Sequence, residues 1–82
     1  MVNILTFSKE EQTLFDKLIN NEEMDIEKNI QFFKSISDRA KKLDQINLTN
    51  INEEENKIIY YINYYRNIYD DYMLDKRLNN TQ

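Results

Sequence analysis

The sequence predicts an all-α fold in which a short helix precedes a long antiparallel helical hairpin, and three observations support this. The 82-residue chain contains no Gly and no Pro, the two residues that most often interrupt helices. Apolar residues recur at helical spacing in three segments, at about 9–20, 22–46 and 51–78. Acidic residues open the last two segments and basic residues close them, which complements the dipole of each helix. The 82 residues make one small domain.

The N-terminal residues 2–7 carry four apolar side chains and precede a helix start signal. They are predicted to form a short strand that pairs with a second copy or a partner, or an extended arm that crosses to another subunit. Ser8 and Glu11 match a capping box, in which each side chain accepts a hydrogen bond from the other residue's amide. The first helix should therefore begin at about Lys9. It is predicted to bury Leu14, Phe15, Leu18 and Ile19 and to end near Asn20 and Asn21.

The second helix is predicted to begin near Glu22 and to end near Ile46, with Asn20, Asn21 or Asp25 as its cap. One arc of its helical wheel collects the apolar residues Ile26, Ile30, Phe33, Ile36, Ala40 and Leu43, with Phe32 at the edge. Basic residues lie near its C-terminal end, where the helix dipole favours positive charge. They are Arg39, Lys41 and Lys42. The segment 47–50 interrupts the pattern, and Thr49 or Asn50 is predicted to cap the third helix. Such a short connection makes helices two and three antiparallel neighbours.

The third helix contains all six tyrosines of the chain, between Tyr60 and Tyr72. On a wheel with one residue every ~100°, one broad face collects Ile51, Ile58, Tyr61, Ile62, Tyr65, Ile68, Tyr69, Tyr72 and Met73. Tyr60, Tyr64, Leu74 and Leu78 fall outside that face. Tyr is enriched at interfaces because its hydroxyl needs a hydrogen-bond partner when buried. We therefore expect a homodimer, with Tyr61, Tyr65, Ile68 and Tyr72 as candidate interface residues.

The composition argues against several classes of function. The chain has no His, Cys or Gly, so it lacks the usual general base, thiolate ligands and phosphate-binding loops. We expect no catalytic residues, no metal and no cofactor, and thus a protein that is not an enzyme. A net charge of -4 argues against direct binding of nucleic acid or an anionic membrane. Since no apolar run approaches the ~20 residues of a membrane span and no signal peptide precedes the domain, a cytoplasmic location is expected.

Clusters of carboxylates suggest a further use for the acidic residues. Most of them are explained as solvated helix faces and helix starts, and a helical di-metal site would need His residues that the chain lacks. Carboxylates repeated along an outer face can also imitate the phosphates of DNA. The candidates for such a DNA-mimic surface are Glu10, Glu11, Glu22, Glu23, Glu53, Glu54, Asp70 and Asp71.

The segment Glu11–Phe15, with the sequence Glu-Gln-Thr-Leu-Phe, resembles the pentapeptide by which bacterial replication proteins dock on the DNA sliding clamp. In that motif a final Leu-Phe pair enters an apolar pocket and a Gln stands first. Here Leu14 and Phe15 hold the last two places, whereas Gln12 stands one position late. In size and acidity the chain is similar to the small phage-encoded inhibitors of the sliding clamp. The resemblance implies docking through Leu14 and Phe15.

The leading functional hypothesis is therefore a protein–protein interaction module that inhibits a host DNA-replication or DNA-processing protein by covering its DNA-binding or partner-binding surface. The predicted partner-binding residues are Leu14, Phe15, Tyr60, Tyr64 and Leu74. The high Asn, Ile, Lys and Tyr content, with AT-rich codons, indicates a low-GC bacterium or a phage of one. The alternatives are an antitoxin or immunity-type bundle that sequesters a toxin, and a structural accessory protein that forms homo-oligomers.

Overall fold

The computed structural model describes residues 3–79, which form a short 3-10 turn and three α-helices. The turn spans Asn3–Leu5, and the helices are α1 (Lys9–Ile19), α2 (Ile30–Asp44) and α3 (Glu53–Asn79). No strand occurs in this part of the chain. The molecule measures 48 × 27 × 18 Å. The 27 residues of α3 account for about 40 Å of the long dimension at ~1.5 Å per residue. The predicted all-α class is confirmed.

Helix α1 has the start that the capping box predicts. The Ser8 hydroxyl accepts from the Glu11 amide at 3.2 Å, and the Glu11 carboxylate accepts from the Ser8 amide at 3.3 Å. At its other end the helix closes with a Schellman motif. The amide of Asn21 donates to the Leu18 carbonyl, and the amide of Glu22 donates to the Lys17 carbonyl. Asn21 adopts φ of 60°, the left-handed conformation that Asn tolerates better than most residues, in a chain without Gly.

Helix α2 begins later than predicted, at Ile30 rather than near Glu22. Residues 22–25 have no regular structure, and residues 26–29 form a single turn. The Asp25 carboxylate accepts from the amides of Glu27 at 2.9 Å and Lys28 at 3.2 Å, so it caps this turn as a helix N-cap would. Asp25 therefore caps this turn and not α2. The N-cap of α2 is Asn29, which makes no side-chain capping bond, so the predicted cap at Asn20, Asn21 or Asp25 is wrong.

Helix α3 begins at Glu53, close to the predicted boundary, but neither Thr49 nor Asn50 caps it. The cap is Asn52, whose side-chain oxygen accepts from the Glu55 amide at 2.7 Å. The Glu55 carboxylate accepts in return from the Asn52 amide at 3.3 Å, which completes a second capping box. Asn50 instead adopts φ of 57° in the connecting loop.

The core lies between the three helices and the N-terminal turn. Its buried apolar residues are Leu5, Phe15, Leu18, Phe32, Phe33, Ile36, Ala40, Leu43 and Ile62. The predicted faces of α1 and α2 supply most of them. On α3 only Ile62 is fully buried, and half-buried Ile58, Tyr61, Tyr65 and Tyr69 pack around it. Burial of this kind contributes about 25 cal/mol for each Å² of apolar surface removed from water.

Side-chain contacts join α2 and the turn before it to α3. Ser37 donates to Asp70 at 3.3 Å, and Arg66 pairs with Asp44 at 2.7 Å. Lys76 lies 3.5 Å from Glu27 in the turn that precedes α2. These contacts place the two helices side by side. The antiparallel direction of the hairpin and the homodimer stay predictions.

Arg39 joins α2 to the residues that precede α1. Its guanidinium donates hydrogen bonds to the main-chain oxygens of Ile4 and Thr6, the second at 2.8 Å. It also pairs with Glu11 at 3.2 Å and lies 4.3 Å from the centroid of the Phe7 ring. The carbonyl oxygens of Ile4 and Thr6 thus accept hydrogen bonds from Arg39, whereas in a strand they would accept them from the amides of a neighbouring strand.

The predicted strand over residues 2–7 is therefore wrong for the described part of this segment, and Val2 lies outside the described residues. Asn3–Leu5 is a 3-10 turn, and Leu5 is buried in the core of the same chain. Phe7 stacks on Phe15 with 4.6 Å between ring centroids. The segment is an arm, as the second alternative predicts, but it packs on its own subunit.

Candidate partner-binding surface

The side of α3 that faces away from the core carries several large exposed apolar residues. Tyr60 and Leu78 are each 62% exposed, Leu74 is 52% exposed and Tyr64 is 50% exposed. These are the four residues that the helical wheel places outside the core face. Between them on the same side lie exposed Asn67 and Asp71. We name this set of six residues the outer face. Exposed apolar patches rimmed by polar residues often mark protein–protein contact sites, so the outer face is a candidate for such a site.

The N-terminal half of the outer face belongs to a cluster of four tyrosines. Tyr60 and Tyr64 stack with 6.3 Å between ring centroids, and Tyr61 and Tyr65 stack with 6.4 Å. The two stacks meet edge to face, at 5.4 Å for Tyr60 with Tyr61 and at 5.0 Å for Tyr64 with Tyr65. Each of the four rings therefore contacts two others, and these aromatic contacts favour one arrangement of the exposed pair.

A small cavity opens beside this cluster. It has a volume of about 210 Å³ and is lined by Asn21 and by the four clustered tyrosines. Asn21 is the left-handed residue that ends α1, so the end of that helix forms one wall of the cavity. Aromatic walls with a few polar groups are typical of sites that accept one side chain of a partner protein.

The predicted dimer-interface residues have neighbours within their own chain. The Tyr65 hydroxyl donates to the Leu18 carbonyl at 3.0 Å, and Tyr61 meets Phe15 edge to face at 6.5 Å. Burial, with the neighbouring Tyr64 and Tyr61, raises the pKa of Tyr65 above its ordinary value. Tyr72 is half-buried, whereas Ile68 is 36% exposed. Of the four candidates, Ile68 is the one at the edge of the outer face.

The Leu-Phe pair of the clamp-docking resemblance lies inside the fold. Phe15 is only 1% exposed and packs between Phe7 and Tyr61. Leu14 is half-buried against the core. The segment is helical, whereas a docking peptide is usually extended. Leu14 and Phe15 are therefore core residues in this structure, and an apolar pocket on a partner could reach Phe15 only after α1 detached.

Of the eight DNA-mimic candidates, two are bound within the chain. Asp70 accepts from Ser37 and lies 3.7 Å from Arg66. Glu11 is half-buried, and it accepts from Ser35 at 2.7 Å as well as from Arg39. Burial alone would raise the pKa of Glu11, but the hydrogen bonds and the Arg39 charge outweigh it and lower the pKa. The other six candidates, Glu10, Glu22, Glu23, Glu53, Glu54 and Asp71, are exposed, and so is Asp70 despite its contacts.

A larger open groove of about 510 Å³ runs along α2. Lys34, Asp38, Arg39 and Lys42 line it together with Ile4. Its most buried cation, Arg39, is already engaged by the N-terminal arm and Glu11. Every buried side-chain nitrogen or oxygen within residues 3–79 has a hydrogen-bond partner. The groove therefore contains no buried polar group that lacks a partner.

Residues 3–79 form neither a metal-binding cluster nor a membrane-spanning helix. Among residues 3–79, no three acidic side chains lie close enough together to hold a metal ion. None of the helices in that range has the length and apolar character required to cross a bilayer.

No protein-family model, curated protein or solved structure matches this chain. The surface must therefore be interpreted from its own residues.

Sequence reasoning found part of this surface and missed part. It identified Tyr60, Tyr64 and Leu74, because a helical wheel separates outward from inward positions. It missed Asn67, whose place on the outer face the same wheel could have shown. It also missed the wall formed by Asn21, because the position of the end of α1 against α3 depends on tertiary packing.

Proposed function

We propose that this protein is a non-enzymatic binding module that docks on another protein through the outer face of α3. The observation that carries the proposal is the stacked, exposed pair Tyr60 and Tyr64, next to a cavity of about 210 Å³. Tyrosine is enriched among the residues that dominate binding energy at protein interfaces, since it buries a large area with few rotatable bonds. Leu74 and Leu78 extend the apolar contact along the same helix.

The proposed target is a protein of DNA replication or processing in the host cytoplasm, and the proposed effect is inhibition by occlusion. Asp71 lies on the outer face between Tyr64 and Leu74, so the docking surface combines apolar side chains with negative charge. A DNA-binding surface offers the complementary combination, with cations around apolar pockets. The net charge of -4 would favour association with such a surface. The bacterial sliding clamp is the first candidate target.

The test is capture of targets from a low-GC bacterial lysate with tagged protein, followed by mass spectrometry. The proposal predicts that a DNA-binding protein is recovered at low salt and that free DNA competes with its capture. High salt should slow its association, because screening weakens electrostatic steering. Purified sliding clamp should then be assayed directly.

Capture of a partner that neither DNA nor salt affects would contradict occlusion of a DNA-binding surface. Recovery of a small toxin would favour the antitoxin hypothesis.

A further inference from the structure

The outer face of α3 has a regular spacing that its role in docking does not require. Its six residues, Tyr60, Tyr64, Asn67, Asp71, Leu74 and Leu78, follow one another by alternating steps of four and three. This is the heptad spacing of a helix that packs lengthwise on another helix. The set spans 18 residues from first to last, or about 27 Å at ~1.5 Å per residue. It is separate from the half-buried face that contacts the core.

The spacing is also symmetric about residue 69. Tyr60 and Leu78 are equally distant from that position, as are Tyr64 and Leu74, and as are Asn67 and Asp71. In an antiparallel pair of identical helices, residues equally distant from the symmetry axis face each other. We propose that a second copy of this chain covers the outer face, with the two α3 helices antiparallel and the twofold axis at residue 69.

Each contact in this arrangement is chemically matched. Tyr60 packs on Leu78 of the second copy, and Tyr64 packs on Leu74, so every ring meets an aliphatic side chain. At the centre, the Asn67 amide donates to the Asp71 carboxylate of the second copy, and the reciprocal pair does the same. A polar pair within an apolar seam fixes the register and the orientation of the two helices, because any other alignment leaves it unpaired.

A parallel pair in register would be poorly matched. It would place Asp71 against Asp71 of the second copy, with two carboxylates facing each other between the helices. Like charges in that position disfavour association. The two helix dipoles would also be aligned side by side, whereas the antiparallel pair opposes them. Charge complementarity therefore selects the antiparallel arrangement.

The residues that flank the centre fit the same axis. Ile68 lies beside the outer face and would meet Ile68 of the second copy across the axis, which extends the apolar contact. Asp70 flanks the axis on the other side. It is held within its own chain by Ser37 at 3.3 Å and by Arg66 at 3.7 Å, which partly neutralises it. Arg66 thus supplies a counter-ion for Asp70, which would lie near Asp70 of the second copy.

This inference rests on the proposed function only in treating the outer face as a protein-binding surface. It adds that the dimer is the state of the free protein and that a target must displace the second copy to reach Tyr60 and Tyr64. The proposed function does not depend on the dimer, so the two claims can fail separately.

Sedimentation equilibrium over a range of concentrations tests the inference with three variants. Asn67→Asp places two carboxylates together at the centre, and we expect it to raise the dimer dissociation constant at least about tenfold, which corresponds to about 1.4 kcal/mol. Asn67→Asp combined with Asp71→Asn restores an amide–carboxylate pair, so it should dimerise like the wild type. Asn47→Asp adds the same charge in an exposed loop and serves as the control.

Cysteine pairing tests the orientation, since the natural chain contains no Cys. Oxidation of a mixture of Tyr64→Cys and Leu74→Cys proteins should give a disulfide between the two different variants, while each variant alone should give little. Wild type that sediments as a monomer at all concentrations overturns the inference. So does a dimer that Asn67→Asp leaves intact, or a Tyr64→Cys protein that couples efficiently to itself. A monomer whose target capture still depends on Tyr64 would overturn the dimer and keep the proposed function.

Discussion

The single side chain of Arg39 connects the N-terminal arm to α1 and α2. The charge pattern relates this residue only to the helix dipole, because sequence alone does not reveal what lies beside it. In the structure its guanidinium meets two carbonyls, a carboxylate and an aromatic ring. The planar, permanently charged guanidinium can serve all these partners at once, which a lysine ammonium cannot do with the same geometry.

Replacement of Arg39 with Ala is therefore expected to destabilise the protein by about 2 kcal/mol or more, the range for hydrogen bonds that involve a charged group. The loss leaves the carboxylate of Glu11 and the oxygens of Ile4 and Thr6 without this donor. Urea unfolding followed by circular dichroism measures the change. Lys41→Ala, an exposed residue of the same helix, is the control. An Arg39→Ala protein as stable as that control would show that the arm is held by its apolar contacts alone.

Glu11 makes the same network sensitive to acid. Its pKa in the folded protein is below its ordinary value of 4.5, so its contribution to stability is complete above pH 4.5 and is lost as the pH falls through the folded pKa. The free energy of unfolding should therefore fall more steeply in this acidic range for the wild type than for Glu11→Gln. Urea unfolding at several pH values measures the difference. Two parallel curves would contradict this role of Glu11.

At the scale of elements, the existence of all three helices and the start of α1 were predictable, whereas the start of α2 was not. Apolar periodicity located α1, α2 and α3, because each must bury one face. The start of α2 was predicted eight residues too early, since Ile26 and Ile30 continue the helical pattern into the connecting turn. Two local interactions prevent the helix from extending through this segment. Asn21 adopts the left-handed conformation and ends α1. The Asp25 side chain accepts hydrogen bonds from amides that, in a longer helix, would donate to main-chain carbonyls.

The cap of α3 offers a test at this scale. Asn52→Ala removes the side-chain oxygen that accepts from the Glu55 amide, and the expected cost is about 1 kcal/mol. Thr49→Ala removes a side chain that the sequence also allowed as the cap but that the structure places in the loop, so its effect should be within about 0.5 kcal/mol. Thermal or urea unfolding compares the two. A larger effect at Thr49 would contradict the observed helix start.

At the scale of the molecule, three helices of unequal length share one small core. Because α1 and α2 both contact the same side of α3, the core covers that side and leaves the outer face exposed. A helical wheel predicted which side of α3 would be exposed. The apolar spacing of α1 also predicted that Phe15 is buried, but it left the docking motif open, since an apolar pair suits a core as well as a docking motif. The structure separates these alternatives by placing Phe15 against Phe7 and Tyr61.

The central claim is that the protein docks through the outer face of α3 and not through the Glu11–Phe15 segment. The most direct measurement compares, by quantitative mass spectrometry, the partners that the wild type, Tyr64→Ser and Gln12→Ala capture from the same low-GC bacterial lysate. Both substituted side chains are exposed, so both variants should fold. We expect Tyr64→Ser to lose the captured partner and Gln12→Ala to retain it, since only Tyr64 lies on the outer face. Loss with Gln12→Ala and retention with Tyr64→Ser would contradict docking through the outer face and favour the clamp-docking segment.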